Sequence, residues 1–246
     1  LQTKWGDIMK IEFDQGFSFG KGAFETIKVV DNRPLFLQAH LSRLASSLDF
    51  FGIEQELDQD RIFDYINQVD GDNFALKLMV SDDNFILTHR PDPYQDNQGK
   101  FHLTISNVQR NTTSKLIYHK SLAYYENILE DHLAKDQGFD SALFVNQAGQ
   151  LAETAFANIF LVKDGKVYTP ALSSGLLAGT MRTYLLENYA IEEAVIPAQD
   201  LASFDECFIS NALMGVRNVA VIDDYTYPND QVSQAIQTDL AKFGFR

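Results

Sequence analysis

Residues 149–170 read GQLAETAFANIFLVKDGKVYTP. NIFLV and KVYTP are apolar and β-branched, and they flank Asp164-Gly165, a pair suited to a tight reversal between two antiparallel strands. Just upstream, SALFVN, NQAG and QLAETAF read as strand, turn and strand. Working outward, TMRTYLLENYA (180–190) reads as a helix, ECFISNAL (206–213) as a strand and VSQAIQTDLAKFG (232–244) as a closing helix. In the other direction, SLAYYENILEDHLAKDQG (121–138) reads as an amphipathic helix ended by Gly138, preceded by KLIYHK (115–120). Residues 107–114 are polar and carry no period, which marks a linker.

The first part of the chain has its own pattern. FETIKVV (24–30) alternates apolar and polar residues as a half-buried strand does. LFLQAHLSRLASSLDFFGI (35–53) has apolar residues near helical spacing and closes on Gly52, and RIFDYINQV (61–69) is a second short helix. NFALKLMV, NFILTHR and KFHLTIS then read as three strands. The expectation is a chain of mixed α+β and α/β character with two domains, 1–106 and 115–246, joined at 107–114.

The composition sets limits. The 246 residues are 45% hydrophobic and 12% aromatic, enough for a substantial core. A formal net charge of −14 argues against nucleic acid or an anionic membrane as the main partner, although a local cluster of cations and amides can still hold a small anion. No run of apolar residues is long enough to span a membrane. The opening LQTKWGDIMKIEF has no apolar signal-peptide core, and the one cysteine, Cys207, excludes an intrachain disulfide framework. A reducing cytoplasm is the expected compartment, with Cys207 as a small core residue in ECFIS.

Several residues can carry chemistry. Lys120 sits between apolar LIY and a tyrosine-rich helix start, where partial desolvation would favour a neutral, nucleophilic amine able to form a Schiff base. Glu153 lies among small and apolar residues, where a carboxylate can accept a hydrogen bond from a protonated ring nitrogen. Gly179-Thr180-Met181-Arg182 opens a helix, and helix N-termini present free amides to anions. Asn211 follows an apolar strand and can donate to a phosphate oxygen. Arg43 can pair with a phosphate, with His40 one turn earlier on the same helix face in a packing or capping role. Arg90, Arg217 and Lys21 are candidates for substrate carboxylates. Taken together, lysine, carboxylate and helix turn could build a site for pyridoxal phosphate, although each alone is more simply an ordinary surface or helix-start residue.

In that order the residues resemble a family. FGKGAFETIKV (19–29), FLQAHLSRL (36–44), KSLAYYENIL (120–129), ETAFANIFLVKDGKVYTP (153–170), LLAGTMR (176–182) and SNALMGV (210–216) look like the ordered blocks of the fold-type IV pyridoxal phosphate enzymes. That family includes branched-chain aminotransferases, D-amino acid aminotransferases and the 4-amino-4-deoxychorismate lyases of folate biosynthesis. The resemblance implies a two-domain fold like that of D-amino acid aminotransferase and pyridoxal 5'-phosphate as cofactor. It implies Lys120 as Schiff-base lysine and proton shuttle, and Glu153 on the pyridine nitrogen. Arg43, the Thr180 and Met181 amides and Asn211 would hold the phosphate. It also implies a homodimer acting on a small amine or amino acid.

Met181 and the SNALMG block look most like the lyases, which favours release of pyruvate and 4-aminobenzoate. A branched-chain or D-amino acid aminotransferase is the alternative, and a non-catalytic small-molecule-binding relative is a third reading that intact Lys120 and Glu153 oppose. Lys21 replaces the family's Asp, Phe24 a common Tyr and Ala123 a common Asn, so the substrate side departs from the pattern more than the cofactor side.

Overall fold

In the computed structural model, residues 10–95 and 99–245 are described. The sequence opening read for a signal peptide lies partly outside them, at residues 1–9. The chain divides into two compact units, one running to Pro93 together with His119–Tyr124, the other comprising Tyr94–Tyr118 and the chain from Tyr125 onward.

The first unit begins with a short helix α1 (Gln15–Phe19), whose N-cap Asp14 accepts the Phe17 amide. Strands β1 (Ala23–Val30) and β2 (Arg33–Pro34) follow, then helices α2 (Leu37–Phe51) and α3 (Gln59–Gln68), then strands β3 (Phe74–Val80) and β4 (Phe85–Arg90). The strands form one antiparallel sheet in the order β2-β1-β3-β4. Its core side carries Ile27, Val29, Leu76, Leu78 and Val80, packed against Leu41, Leu44 and Leu48 of α2 and Ile62 and Ile66 of α3. Each such side chain contributes roughly 1.5–3 kcal/mol when fully buried. The helix spacing read from the sequence produces this face, and Gly52 caps α2 in the left-handed conformation.

The second unit contains β5 (Phe101–Ile105), α4 (Tyr125–Asp136), β6 (Ser141–Val145), β7 (Leu151–Thr154), β8 (Asn158–Lys163), β9 (Lys166–Pro170), α5 (Thr180–Asn188), β10 (Ile191–Ala194), β11 (Glu206–Asn211), β12 (Gly215–Ile222), β13 (Tyr225–Thr226) and α6 (Gln231–Leu240). The sheet runs β10-β9-β8-β11-β12-β5-β6-β7, and β7 pairs back onto β8, so six strands close on themselves as a barrel. Leu103, Leu143, Leu151, Ile159, Leu161, Ile209 and Val219 fill its interior. The 149–170 hairpin is as read. Asp164 and Gly165 both take positive φ, 51° and 74°, as a two-residue turn that follows the strand twist requires.

Three expectations about organisation are corrected. The first domain does not extend to 106, because β5 pairs in parallel with β12 and β6 and is therefore a barrel strand. Residues 107–114 are not a free linker. The Arg110 amide donates to Val145 O at 2.8 Å, Arg110 bridges Asn146, and its side chain is buried. A 3-10 turn, Lys115–Tyr118, precedes Lys120, and α4 starts at Tyr125 rather than at Ser121.

Candidate functional site

In the first unit, Lys120 is fixed by β1. Phe24 N donates to Lys120 O at 2.9 Å, Leu122 N donates to Gly22 O at 2.9 Å, and Ser121 bridges Ala23. These bonds add the lysine segment to the edge of a rigid strand, which is why His119–Tyr124 groups with this unit although distant in sequence. The Lys120 ammonium lies over two aromatic rings, 4.5 Å from the Phe24 centroid and 4.9 Å from that of Tyr124. The two rings meet edge to face at 5.1 Å. His119, next in the chain, stacks on Phe50 at 4.1 Å and meets Ser47 Oγ at 3.2 Å, anchoring the lysine segment to α2.

Arg43 is held by Glu25, a residue that did not stand out in the sequence. Glu25 is fully buried on β1 and accepts from Arg43 Nε at 2.7 Å and Arg43 Nη2 at 2.6 Å. His40 Nδ1 donates to the same carboxylate at 2.7 Å, so His40 helps to orient Arg43, in keeping with a packing role. Burial alone would raise the Glu25 carboxyl, but the adjoining Arg43 and His40 outweigh it and hold it at about 2. Burial pushes His40 below its ordinary value despite the attraction of Glu25, which leaves a neutral ring donating to an ionised carboxylate. The bidentate grip fixes the guanidinium plane, as recognition of a phosphate by arginine requires.

In the second unit, Glu153 on β7 faces Asn158 on β8 across a one-pair ladder. Glu153 Oε2 accepts the Leu177 amide at 3.1 Å, and Asn158 Nδ2 donates to Leu177 O at 2.9 Å. The Glu and Asn of the ETAFAN block thus grip both polar groups of one residue, and so place the loop that leads into α5. Gly179 is the N-cap of α5 and lies so close to Asn158 that an added Cβ would meet Asn158 Oδ1 at 2.2 Å. Among the described residues no side chain of the Gly179 N-cap position caps this helix, and its first residues, Thr180 and Met181, are buried. Such an end presents backbone amides to an anion.

Arg110 is the second residue that the sequence reading missed. Its guanidinium lies 3.7 Å from the Phe144 ring centroid and donates to Glu153 Oε1 at 3.4 Å and to Glu126 Oε2 at 3.5 Å. Arg110 thus places a cation beside the Glu153 carboxylate. A lone arginine in a polar stretch without period offers no sequence signal for this.

Asn211 ends β11. Its Oδ1 accepts the Leu213 and Met214 amides at 2.9 Å each, and its Nδ2 makes only a long contact, 3.4 Å, to Phe156 O. The side chain chiefly shapes the SNALMG turn. Beside it, Ser210 Oγ is buried with no hydrogen-bond partner among the described residues, an orphan that an oxyanion would answer. The uncapped α5 terminus, this hydroxyl and the Glu153 carboxylate are the donor and acceptor types that a phosphorylated pyridine needs, so the residues fit the group.

Of the substrate-carboxylate candidates, Lys21 pairs its ammonium with Asp82 at 2.7 Å. Arg217 is buried within β12 and donates to Val216 O. Arg90 ends β4 and is exposed. Cys207 is buried in the barrel core, where burial pushes its thiol well up and makes it unreactive. Among the described residues, no helix is long and apolar enough to cross a membrane.

Comparison with known proteins agrees with this arrangement. A family model described as amino-transferase class IV matches residues 22–222. The aminodeoxychorismate lyase of Bacillus subtilis is 23% identical, over 90% of this chain and 84% of that protein. The crystal structure of 4-amino-4-deoxychorismate lyase from Pseudomonas aeruginosa has the same fold, with a TM-score of 0.83 at 24% identity, covering 96% of each chain. The branched-chain amino acid aminotransferase of Escherichia coli also shares it, with a TM-score of 0.83 at 19% identity, over 98% of this chain and 90% of that one.

Proposed function

This chain belongs to the amino-transferase class IV family, and from that premise we propose that it is a pyridoxal 5'-phosphate enzyme that cleaves 4-amino-4-deoxychorismate to pyruvate and 4-aminobenzoate. The observation that carries the reading is Glu153: a carboxylate with a cation beside it and a backbone amide on one oxygen, positioned by the same loop that opens α5. When bound, the cofactor supplies an aldehyde for imine formation and a protonated ring that takes up electrons from the substrate. The residues of this chain do the rest. Lys120 holds the aldehyde, gives way to the substrate amine and then takes the proton from the amine-bearing carbon at Nζ. Glu153 keeps the ring nitrogen protonated. Arg43, oriented by Glu25 and His40, holds the phosphate together with the Thr180 and Met181 amides and the Asn211 turn. The similarity to the Bacillus subtilis lyase, together with Met181 and the SNALMG block, supports the lyase outcome.

Membership of the amino-transferase class IV family supports a second outcome, in which Lys120 Nζ would give back the proton it took and an amino group would pass to a keto acid. We also infer a homodimer in the cytoplasm. Exposed Tyr125, Ile128, Leu129 and Leu133 lie at helical spacing on α4, an apolar stripe suited to another copy.

The tests are direct. The purified protein should be yellow, and borohydride should bleach it by reducing the imine. Lys120→Ala abolishes the Schiff-base absorbance, and its survival in that variant overturns the assignment of Lys120. Pyruvate release from aminodeoxychorismate, measured beside amino transfer to 2-oxoglutarate, separates the two outcomes. Transfer without pyruvate release rejects the lyase.

A further inference from the structure

One face of α2 carries His40, Arg43, Ser47 and Phe50, three or four residues apart, the spacing that lines side chains up along a helix. The first two reach Glu25 on β1. The last two reach His119. The His119 ring lies against Phe50, with centroids 4.1 Å apart and planes inclined by 14°, and its Nδ1 meets Ser47 Oγ at 3.2 Å. Phe51 approaches the same ring at 6.1 Å. Ser47 donates its one hydroxyl proton to Arg43 O at 3.2 Å, so its oxygen can only accept from the imidazole. Nδ1 therefore carries the ring proton. Burial pushes His119 below its ordinary value, which favours this neutral form. The result is a chain of two hydrogen bonds, from His119 to Ser47 and from Ser47 to the Arg43 carbonyl.

These contacts close a circuit. Lys120 follows His119 in the chain, and its own carbonyl accepts from Phe24 N at 2.9 Å. Phe24 adjoins Glu25, Glu25 holds Arg43, and Arg43 leads through Ser47 back to His119. Lys120 and Arg43 both belong to the circuit, and the charges of both oppose a proton on His40. We propose that His119 and Ser47 are positioning residues that tie the lysine holding the aldehyde to the arginine holding the phosphate, so that the two ends of the cofactor are gripped at one fixed spacing. The inference rests on the pyridoxal phosphate reading and deepens it by naming residues that act through Lys120 and Arg43. With the circuit closed, a ligand held at its phosphate end meets Lys120 with neither segment left to order. With the circuit open, each end still binds by itself, and the advantage of joining them in one ligand is lost.

The test separates the two ends with three ligands, each added to the 246-residue chain freed of cofactor. Pyridoxine 5'-phosphate has the phosphate and no aldehyde, pyridoxal has the aldehyde and no phosphate, and pyridoxal 5'-phosphate has both. Binding of the first is read by titration calorimetry, and that of the other two from the Schiff-base absorbance. His119→Ala and Ser47→Ala should each weaken pyridoxal 5'-phosphate by about tenfold and leave both single-ended ligands within about twofold of the wild type. The double variant should lose no more than either single one, because both break the same chain. His119→Asn, which supplies a donor in place of Nδ1, should recover part of the loss. Equal weakening of all three ligands, as a general loosening of the unit would give, overturns the proposal, and so does an unchanged affinity for pyridoxal 5'-phosphate. Absence of the Schiff-base absorbance in the wild type is a separate result that refutes the cofactor reading itself.

Discussion

Glu25 shows how a single buried charge is made useful. An uncompensated carboxylate at full burial is prohibitive, and here two oxygens receive three donors from one helix face. Its carboxyl is held at about 2, against 4.5 for the free group. The folded state therefore binds the proton less tightly than the unfolded state. Stability from this group is fully present above pH 4.5 and is lost as pH falls toward about 2. His40, depressed by burial, acts in the same direction below its ordinary value, because the unfolded ring takes a proton more readily. Glu25→Gln should lower stability by about 3–5 kcal/mol at neutral pH, the usual cost of breaking a buried pair. It should also flatten the acid limb of a urea-denaturation series run from pH 5 to pH 2, and an unchanged limb would assign the acid sensitivity elsewhere. Arg43 was legible in the sequence because HLSRL sits on a periodic helix. Glu25 was not, since on an alternating strand it occupied an inward position that the pattern assigns to apolar residues.

At the scale of elements, the placement of α5 depends on a clamp between two strands and a loop. Asn158 and Glu153 hold Leu177 from opposite sides, and Gly179 leaves room for Asn158. Gly179→Ala drives a methyl into Asn158 Oδ1, and the amide can yield only by giving up its bond to Leu177 O. The expected loss is about 1–2 kcal/mol in urea unfolding, with a several-fold weaker affinity for pyridoxine 5'-phosphate as the α5 terminus shifts. Asn158→Ala alone gives a comparable loss, and adding Gly179→Ala to it costs little more. A double-mutant cycle with coupling near zero would show that the two do not act through one contact. The hairpin, the two barrel-facing strands and the helix following Gly179 were all readable from local period and turn chemistry. β12 was not, although GVRNVAVI is β-branched and apolar. Its identity as a strand is set by partners far away in sequence, β11 on one side and β5 on the other, and no local signal records a parallel pairing.

At the scale of the whole molecule, the same lack of local signal displaced the expected boundary. KFHLTIS was correctly read as a strand but assigned to the wrong sheet, and the polar segment after it was taken for a tether. Buried Arg110 contradicts a tether, with its amide on Val145 and its guanidinium between Phe144 and Glu153. The two views make opposite predictions for a four-residue Gly-Ser insertion between Val108 and Gln109. A tether would absorb it, because lengthening a flexible loop costs only about 0.6 kcal/mol per doubling. Displacing Arg110 instead strands a buried carboxylate and opens the edge of β6, at a cost of about 3 kcal/mol or more. The same insertion at the exposed turn Asp70-Gly71 is the control, since Gly71 already takes φ 110° there and an added Cβ would meet nothing within 4 Å. Differential scanning calorimetry of the 246-residue chain should show a lowered Tm for the first insertion and little change for the second. Equal tolerance of both would mean that 107–114 behaves as a tether in solution and that the support Arg110 lends to Glu153 is dispensable.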